Sequence, residues 1–190
     1  MSTNGLLTEK EQELVAVGAS IAAGCRPCTA YHVRAARIAR ADKEEIRQAV
    51  NDALDVRRSA TASMAHLAEK QLGDAPESDA TNCSEKSLIS ELVSVGAALA
   101  VNCVTNLETH LMAAWQLGAT VRQIQTVLDI ARAVKSMAGK KAEAAIAKAA
   151  EESQVCADDC GCHDAQSQPS PTPAGCGCGE TERAATTRNA

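Results

Sequence analysis

The sequence repeats itself at an offset of 78 residues. The segment ELVAVGASIAAGC at positions 13–25 returns as ELVSVGAALAVNC at positions 91–103. Aligned without gaps, residues 13–60 and 91–138 are identical at about sixteen of 48 positions, and the matches include one Glu, one Cys and one His. A repeat of this length predicts that one supersecondary unit occurs twice and packs against its copy.

Local signals predict the ends of three helices in the first copy. Capping-box patterns begin the first and third helices. A proline suits the first turn of the second helix, and a glycine suits the C-terminus of the third. The residues concerned are Thr8 with Glu11, Pro27, Asp42 with Glu45, and Gly73.

The core must be built from small aliphatic side chains. The chain has no Phe, one Tyr and one Trp, although 45% of its residues are hydrophobic. Such a composition suits closely packed helices, so we predict an all-α fold with two internal repeats and a disordered Cys-rich tail. The predicted segments are a helical repeat at 1–75, a linker at 76–87, a degenerate helical repeat at 88–152 and the tail at 153–190.

Charge and cysteine content narrow the classes of function. With 19 Lys and Arg against 24 Asp and Glu, the chain is mildly acidic, which argues against a nucleic-acid partner. The N-terminus has no signal-peptide pattern, and no apolar run is long enough for a membrane span, so we expect a cytoplasmic protein without a membrane partner. Nine cysteines in such a protein indicate redox chemistry or metal binding.

The segment GCRPCTAYH at positions 24–32 carries the strongest chemical signal. A helix N-terminus, a nearby cation and a Cys-x-x-Cys arrangement each lower the pKa of a thiol. Here Cys25 and Cys28 flank a predicted helix start, and His32 lies one turn after Cys28, within reach of its proton. Glu13, on the preceding helix, could face His32 in an antiparallel pair. The spacing alone also fits half of a metal site or inert buried thiols.

These four residues resemble the Glu…Cys-x-x-Cys-x-x-x-His signature of the AhpD-like branch of the carboxymuconolactone decarboxylase family. The resemblance covers about residues 8–72 well and residues 86–150 as a degenerate copy. It implies an AhpD-like all-α fold, an alkylhydroperoxidase of the peroxiredoxin type, and a homo-oligomer, with a trimer favoured. The branch that decarboxylates a lactone lacks the Cys-x-x-Cys pair, so that reaction is not expected.

The resemblance also assigns catalytic roles. It implies Cys28 as the attacking thiol, Cys25 as the resolving thiol, His32 as the base and Glu13 as its relay partner. The redox site would need no cofactor, but it would need a peroxide or disulfide substrate and a thiol or disulfide electron-donor protein. The chain departs from the branch in having its intact motif in the N-terminal copy, where Pro27 precedes the second cysteine. In the other copy Asn106 replaces that cysteine, so we expect Cys103 and His110 to be relicts of packing.

The predicted tail holds a second group of chemically active residues. Five thiols and one imidazole on a flexible chain suit a soft metal or metalloid, such as Zn, Cu(I) or As(III). Thiol exchange with the core dithiol and the absence of any role are the alternatives. The candidate ligands are Cys156, Cys160, Cys162, His163, Cys176 and Cys178.

Three functions follow from these patterns. We expect a thiol-dependent hydroperoxide reductase or disulfide oxidoreductase in antioxidant defence. A metal or metalloid scavenger acting through the tail is the first alternative, and a structural oligomer with a vestigial dithiol is the second. Cys83, in the linker, receives no role.

Overall fold

The computed structural model describes residues 5–73 and 86–159, with side chains as far as residue 151. Within those ranges the chain forms six α-helices and no strand, so the all-α prediction is confirmed. The helices are α1 (Glu9–Ala22), α2 (Arg26–Ile38), α3 (Lys43–Leu72), α4 (Leu88–Ala100), α5 (Val104–Gln116) and α6 (Val121–Asp159).

The predicted helix ends are confirmed. The Thr8 hydroxyl accepts a hydrogen bond from the Glu11 N–H, and the Glu11 carboxylate accepts one from the Thr8 N–H at 2.7 Å. α3 begins with the same reciprocal arrangement and ends at Gly73, whose φ is +88°. Pro27 lies in the first turn of α2. The caps satisfy N–H groups that have no partner within the helix, which is why they could be predicted locally.

α1 and α4 cross in close contact through two glycines. A Cβ on Gly18 of α1 would lie 2.5 Å from Cγ1 of Val93, and one on Gly96 of α4 would lie 3.1 Å from Cγ1 of Val15. Val127 of α6 packs against the same crossing, 3.6 Å from that position on Gly96. The missing side chains therefore let the two central helices approach closely enough to share one aliphatic core.

A cation from the third helix of each half holds the preceding turn. Nη1 of Arg57 in α3 donates to the carbonyl oxygen of Ile21 at 3.0 Å. In the second half, Nζ of Lys135 in α6 donates to the carbonyl oxygen of Leu99 at 3.3 Å. The same two carbonyl oxygens also accept the backbone N–H groups of Gly24 and Asn102, so each cation adds a second hydrogen bond at the end of its helix. The residues with positive φ in the two turns are Gly24 (+69°) and Asn102 (+60°).

The two halves share the spacing of their helices. α2 begins at Arg26 and α5 at Val104, while α3 begins at Lys43 and α6 at Val121. Both pairs of starting points are therefore 78 positions apart, which is the offset of the sequence repeat. The division into an intact and a degenerate repeat stays a prediction.

α6 continues beyond the predicted end of the helical body. Residues 153–159, predicted as the beginning of the disordered tail, form the last turns of this helix, which ends at Asp159. No Gly or Pro occurs between Gly139 and Gly161, so no strong helix breaker precedes Asp159, although among residues 153–159 only Gln154 and Ala157 are strong helix formers. The rest of the predicted tail, 160–190, lies outside the described residues.

Contacts within the chain divide it into two units, residues 1–151 and residues 152–190. In the first unit, buried Ala, Val, Leu and Ile side chains from all six helices or their flanks form the core. None of the described helices combines the length and the apolarity that a membrane crossing requires.

Candidate redox site

Cys25 and Cys28 form a disulfide bond at the start of α2, with their Cα atoms 5.3 Å apart. Cys25 is the N-cap of this helix, and the backbone N–H of Cys28 donates to its sulfur at 3.3 Å. Both residues are buried, at 6% and 7% exposure. The two predicted redox cysteines are therefore together, and the structure describes the oxidised form of the pair.

Glu13 and His32 form a hydrogen-bonded pair between α1 and α2. Oε2 of Glu13 lies 2.9 Å from Nδ1 of His32, and both side chains are partly buried. A carboxylate at Nδ1 favours the tautomer with its proton on that nitrogen, so Nε2 is the nitrogen that can accept a proton. The Tyr31 ring meets the imidazole edge to face, with the centroids 5.0 Å apart. The expectation that Glu13 faces His32 is confirmed.

A cavity of about 600 Å³ opens beside this pair. Cys28 and His32 line it, together with Glu13, whereas Cys25 is not among its lining residues. α1 and α2 form one side, and α6 forms the other with Ile130, Ala133, Val134, Met137 and Lys141. A largely apolar cavity with a few polar groups at one end is typical of a small-molecule site.

Two groups of residues at this site were not predicted from the sequence. The wall from α6 is one, because it lies about 100 residues away along the chain. The other is a chain of hydrogen bonds behind the disulfide: the Ser20 hydroxyl lies 3.1 Å from that of Thr29, which donates to the Cys25 carbonyl oxygen at 3.0 Å. Ser20 is fully buried. Its position as a single serine within an apolar helical segment is the one feature of the sequence that could have indicated this role.

The second half retains part of the arrangement. Oε2 of Glu91 lies 2.7 Å from Nδ1 of His110, which repeats the pair of the first half. Cys103 is a buried free thiol at the N-cap of α5. Asn106, which replaces the second cysteine, is buried and makes hydrogen bonds to α3. The second half therefore has the Glu–His pair without a dithiol.

The predicted metal ligands of the tail lie outside the described side chains. Cys156 falls within α6, but its side chain is not described, and the other five candidates follow residue 159. Among the side chains that are described, no group of three or more His, Cys, Asp or Glu residues is placed to hold a metal ion. The metal site of the tail stays a prediction.

Comparison with protein families gives one match. Residues 1–70 match the sequence model of the carboxymuconolactone decarboxylase family. This segment contains α1, α2, most of α3 and all four residues of the candidate redox site. The searches of curated proteins and of solved structures give no match.

Proposed function

We propose that this protein is a thiol-dependent hydroperoxide reductase or disulfide oxidoreductase of the AhpD-like kind. The observation that carries the proposal is that Cys28 and His32 line one cavity, while Cys25 is disulfide-bonded to Cys28 and is not among the lining residues. The family match over residues 1–70 supports it, since the residues of the resemblance lie in that segment. Defence against peroxides is the role that such chemistry would serve.

The proposed cycle begins from the reduced dithiol. The Cys28 thiolate attacks the outer oxygen of a hydroperoxide, so an S–O bond forms and the O–O bond breaks. Sulfur is oxidised to a sulfenic acid while the peroxide is reduced to an alkoxide, which takes a proton and leaves as the alcohol. The Cys25 thiolate then attacks the Cys28 sulfur, forms the disulfide and releases hydroxide, which is protonated to water. Two electrons from a thiol donor return the disulfide to the dithiol.

His32 and Glu13 act on protons in this proposal. With Glu13 at Nδ1, Nε2 of His32 takes the proton from the Cys28 thiol and later gives it to the departing oxygen. The helix N-terminus serves Cys25, because the N–H of Cys28 points at its sulfur and favours a thiolate there. Each cysteine thus has its own means of stabilising the anion.

Single cysteine replacements in the full chain test the proposal. Cys28→Ser should abolish peroxide consumption with dithiothreitol as donor. Cys25→Ser should stop turnover after one peroxide and leave a sulfenic acid at Cys28, which dimedone traps for mass spectrometry. Cys103→Ser is the matched control and should retain full activity, because its thiol has no partner cysteine among the described residues. Peroxide turnover that persists in Cys28→Ser would refute the assignment.

We also propose that the protein works as a homo-oligomer, with a trimer favoured. Large apolar side chains are exposed on the second half of α3, at Met64, Leu67 and Leu72. Exposed apolar side chains that cluster on one element are typical of interfaces. Light scattering of the full chain would measure the mass, and a monomer at micromolar concentration would contradict the proposal.

A further inference from the structure

The wall that α6 contributes to the cavity has an apolar part and one cationic end. Ile130, Val134 and Met137 follow one another at helical spacing along the cavity, and Lys141 comes one turn after Met137. At 1.5 Å per residue, Lys141 lies about 6 Å along the helix axis from Met137 and about 16 Å from Ile130. A ligand lying along this wall therefore meets aliphatic surface first and a positive charge at its end.

The Lys141 ammonium has no carboxylate partner among the described ion pairs. Its neighbours three and four residues away on the helix are Met137, Ala138, Ala144 and Ala145, so the sequence offers no acid at the usual pairing distances. Lys141 lines the cavity, whereas the adjacent Lys140 does not. Lys140 also has an acidic residue, Glu143, three positions ahead of it on the helix. Lys141 is thus a cation available to a ligand.

The other charges at the cavity do not compete for an anion. Glu13 and His32 are engaged with each other at 2.9 Å. Gln12, which also lines the cavity, donates its side-chain amide to the carbonyl oxygen of Leu7 at 2.9 Å. Lys141 is therefore the one described lining residue that offers a charge complementary to a carboxylate.

The corresponding contacts in the second half place Cys28 near the apolar part of this wall. Asn106, 78 positions after Cys28, makes hydrogen bonds to Val56 and Ser59 of α3. The residues 78 positions after those two are Val134 and Met137. Both line the cavity together with Cys28. A hydroperoxide group at Cys28 would lie opposite Val134 and Met137, one turn of helix from Lys141.

We propose that the preferred oxidant is an anionic amphipathic hydroperoxide, in which an aliphatic chain carries both the hydroperoxide and a carboxylate. This inference rests on the proposed function, because it names the substrate class of the same site. The aliphatic chain packs against α6, the hydroperoxide meets the Cys28 thiolate, and the carboxylate pairs with the Lys141 ammonium. Lys141 is a specificity-determining residue and takes no part in the bond changes at sulfur.

A comparison of a fatty-acid hydroperoxide with its methyl ester tests the inference. Both compounds are assayed as substrates of the full-length protein, below their micellar concentrations and with dithiothreitol as the electron donor. The acid should have a kcat/KM roughly fivefold higher than the ester, as expected for one partly exposed ion pair. Lys141→Met should remove this ratio, Lys141→Arg should keep it, and Lys140→Met should leave it unchanged although it removes the same charge.

The possible outcomes separate this inference from the proposed function. Equal values for acid and ester in the unmodified protein, a ratio that survives Lys141→Met, or a ratio lost equally in Lys140→Met would each overturn the inference while turnover itself stands. If neither hydroperoxide is consumed, the proposed function fails, and calorimetry of decanoate and decanol with the oxidised full-length protein decides the inference. Decanoate should then bind more tightly than decanol, and only with Lys141 present. Equal affinities would overturn it.

Discussion

The side-chain amide of Asn106 donates a hydrogen bond to the carbonyl oxygen of Val56, with nitrogen and oxygen 3.1 Å apart. Its own amide oxygen accepts a hydrogen bond from the Ser59 hydroxyl at 3.1 Å. Asn106 corresponds to Cys28 in the repeat, so the first half has a cavity-lining sulfur where the second half has a side chain bonded into α3. The same position of the repeat thus carries a disulfide-bonded cysteine in the first half and a hydrogen-bonded link between α5 and α3 in the second.

Asn106→Ala should therefore destabilise the protein without affecting catalysis. It removes one buried and one partly buried hydrogen bond, which should lower the free energy of unfolding by about 1–3 kcal/mol. Urea denaturation followed by circular dichroism measures the loss. Ser59→Ala, which removes one of the two bonds, should cost about half as much. Unchanged stability in Asn106→Ala, or a loss of peroxide reduction at full folding, would contradict this role.

The Glu13–His32 pair should control the reactivity of Cys28. Glu13→Gln and His32→Gln should each slow the alkylation of the reduced Cys28 thiol near neutral pH, because the thiol then lacks a positioned base. We expect a decrease of roughly tenfold or more, up to the roughly 10²–10⁴-fold that a positioned general base contributes. The measurement is the rate of iodoacetamide labelling at Cys28 against pH, read by mass spectrometry.

The second half supplies matched controls for that experiment. Glu91→Gln and His110→Gln remove the equivalent hydrogen bond, which joins atoms 2.7 Å apart, in a place without a dithiol. They should leave the labelling rate of Cys28 unchanged and reduce only stability. Equal labelling rates in all four variants and in the unmodified protein would show that the base is wrongly assigned.

The features that could be predicted from the sequence are those that depend on interactions between residues close together in the chain. The caps at Thr8 and Asp42 follow from side chains that bond N–H groups three residues away, so local pattern was sufficient. The Glu13–His32 contact required only that two consecutive helices run antiparallel. The α6 wall of the cavity could not be predicted, because the presence of Lys141 in the cavity that Cys28 lines depends on how the two halves pack.

The end of α6 shows that average composition can place a helix boundary wrongly. The composition from 153 onward suggested disorder, because Pro, Gly and Ser accumulate there when the segment is averaged as a whole. The first seven of those residues contain none of the helix breakers and continue the helix to Asp159. A boundary drawn from average composition therefore lies seven residues before the described end of α6 at Asp159.

The crossing of α1 and α4 should be intolerant of a side chain at Gly18. An added methyl group would lie 2.5 Å from Cγ1 of Val93, a buried and β-branched residue that cannot move aside. Gly18→Ala should lower the free energy of unfolding by about 1–3 kcal/mol, despite the better helix propensity of alanine. Gly96→Ala, where the nearest atom would be 3.1 Å away, should cost less. Urea denaturation that shows the reverse order would contradict this packing.

The ion pair between Lys10 and Glu45 should make stability depend on pH at the acid end. Nζ of Lys10 lies 2.6 Å from Oε1 of Glu45, and this hydrogen bond, together with that from the Asp42 N–H, lowers the pKa of the Glu45 carboxyl below its usual value. A lowered pKa contributes stability that is complete above the pKa of the unfolded chain, about 4.3, and is lost as the pH falls through the folded value.

Lys10→Met isolates this contribution and leaves Glu45 to cap α3. At pH 7 the variant should be less stable by under about 1 kcal/mol, because both side chains are partly exposed and screened by water. The difference should shrink as the pH falls below the unfolded-chain value of about 4.3 and disappear once the pH is below the lowered pKa of the folded Glu45 carboxyl. Arg58→Met, which breaks a pair with Asp55 within α3 alone, is the control and should have a smaller effect at pH 7. A difference that is the same at pH 7 and pH 3 would refute the assignment.

The tail cysteines should bind a soft metal independently of the redox site. Zn(II), Cu(I) and arsenite prefer thiolate ligands, and the residues after 155 supply five cysteines and one histidine. A variant of the full chain with Ser at positions 156, 160, 162, 176 and 178 should lose this affinity in competition with a chromogenic chelator. Binding to the unmodified protein should weaken from pH 7.5 to pH 5.5, because thiols with a pKa near 8.5 must lose their protons to the metal.

The same variant separates metal capture from catalysis. If the body alone is the catalyst, the five-serine variant should consume peroxide with dithiothreitol at the unmodified rate, while Cys25→Ser and Cys28→Ser should bind metal as the unmodified chain does. Loss of peroxide activity in the five-serine variant would mean that the tail passes electrons to the Cys25–Cys28 disulfide. Unchanged metal affinity in that variant would instead remove the tail from metal binding and make the reduced Cys25 and Cys28 thiolates the candidate ligands.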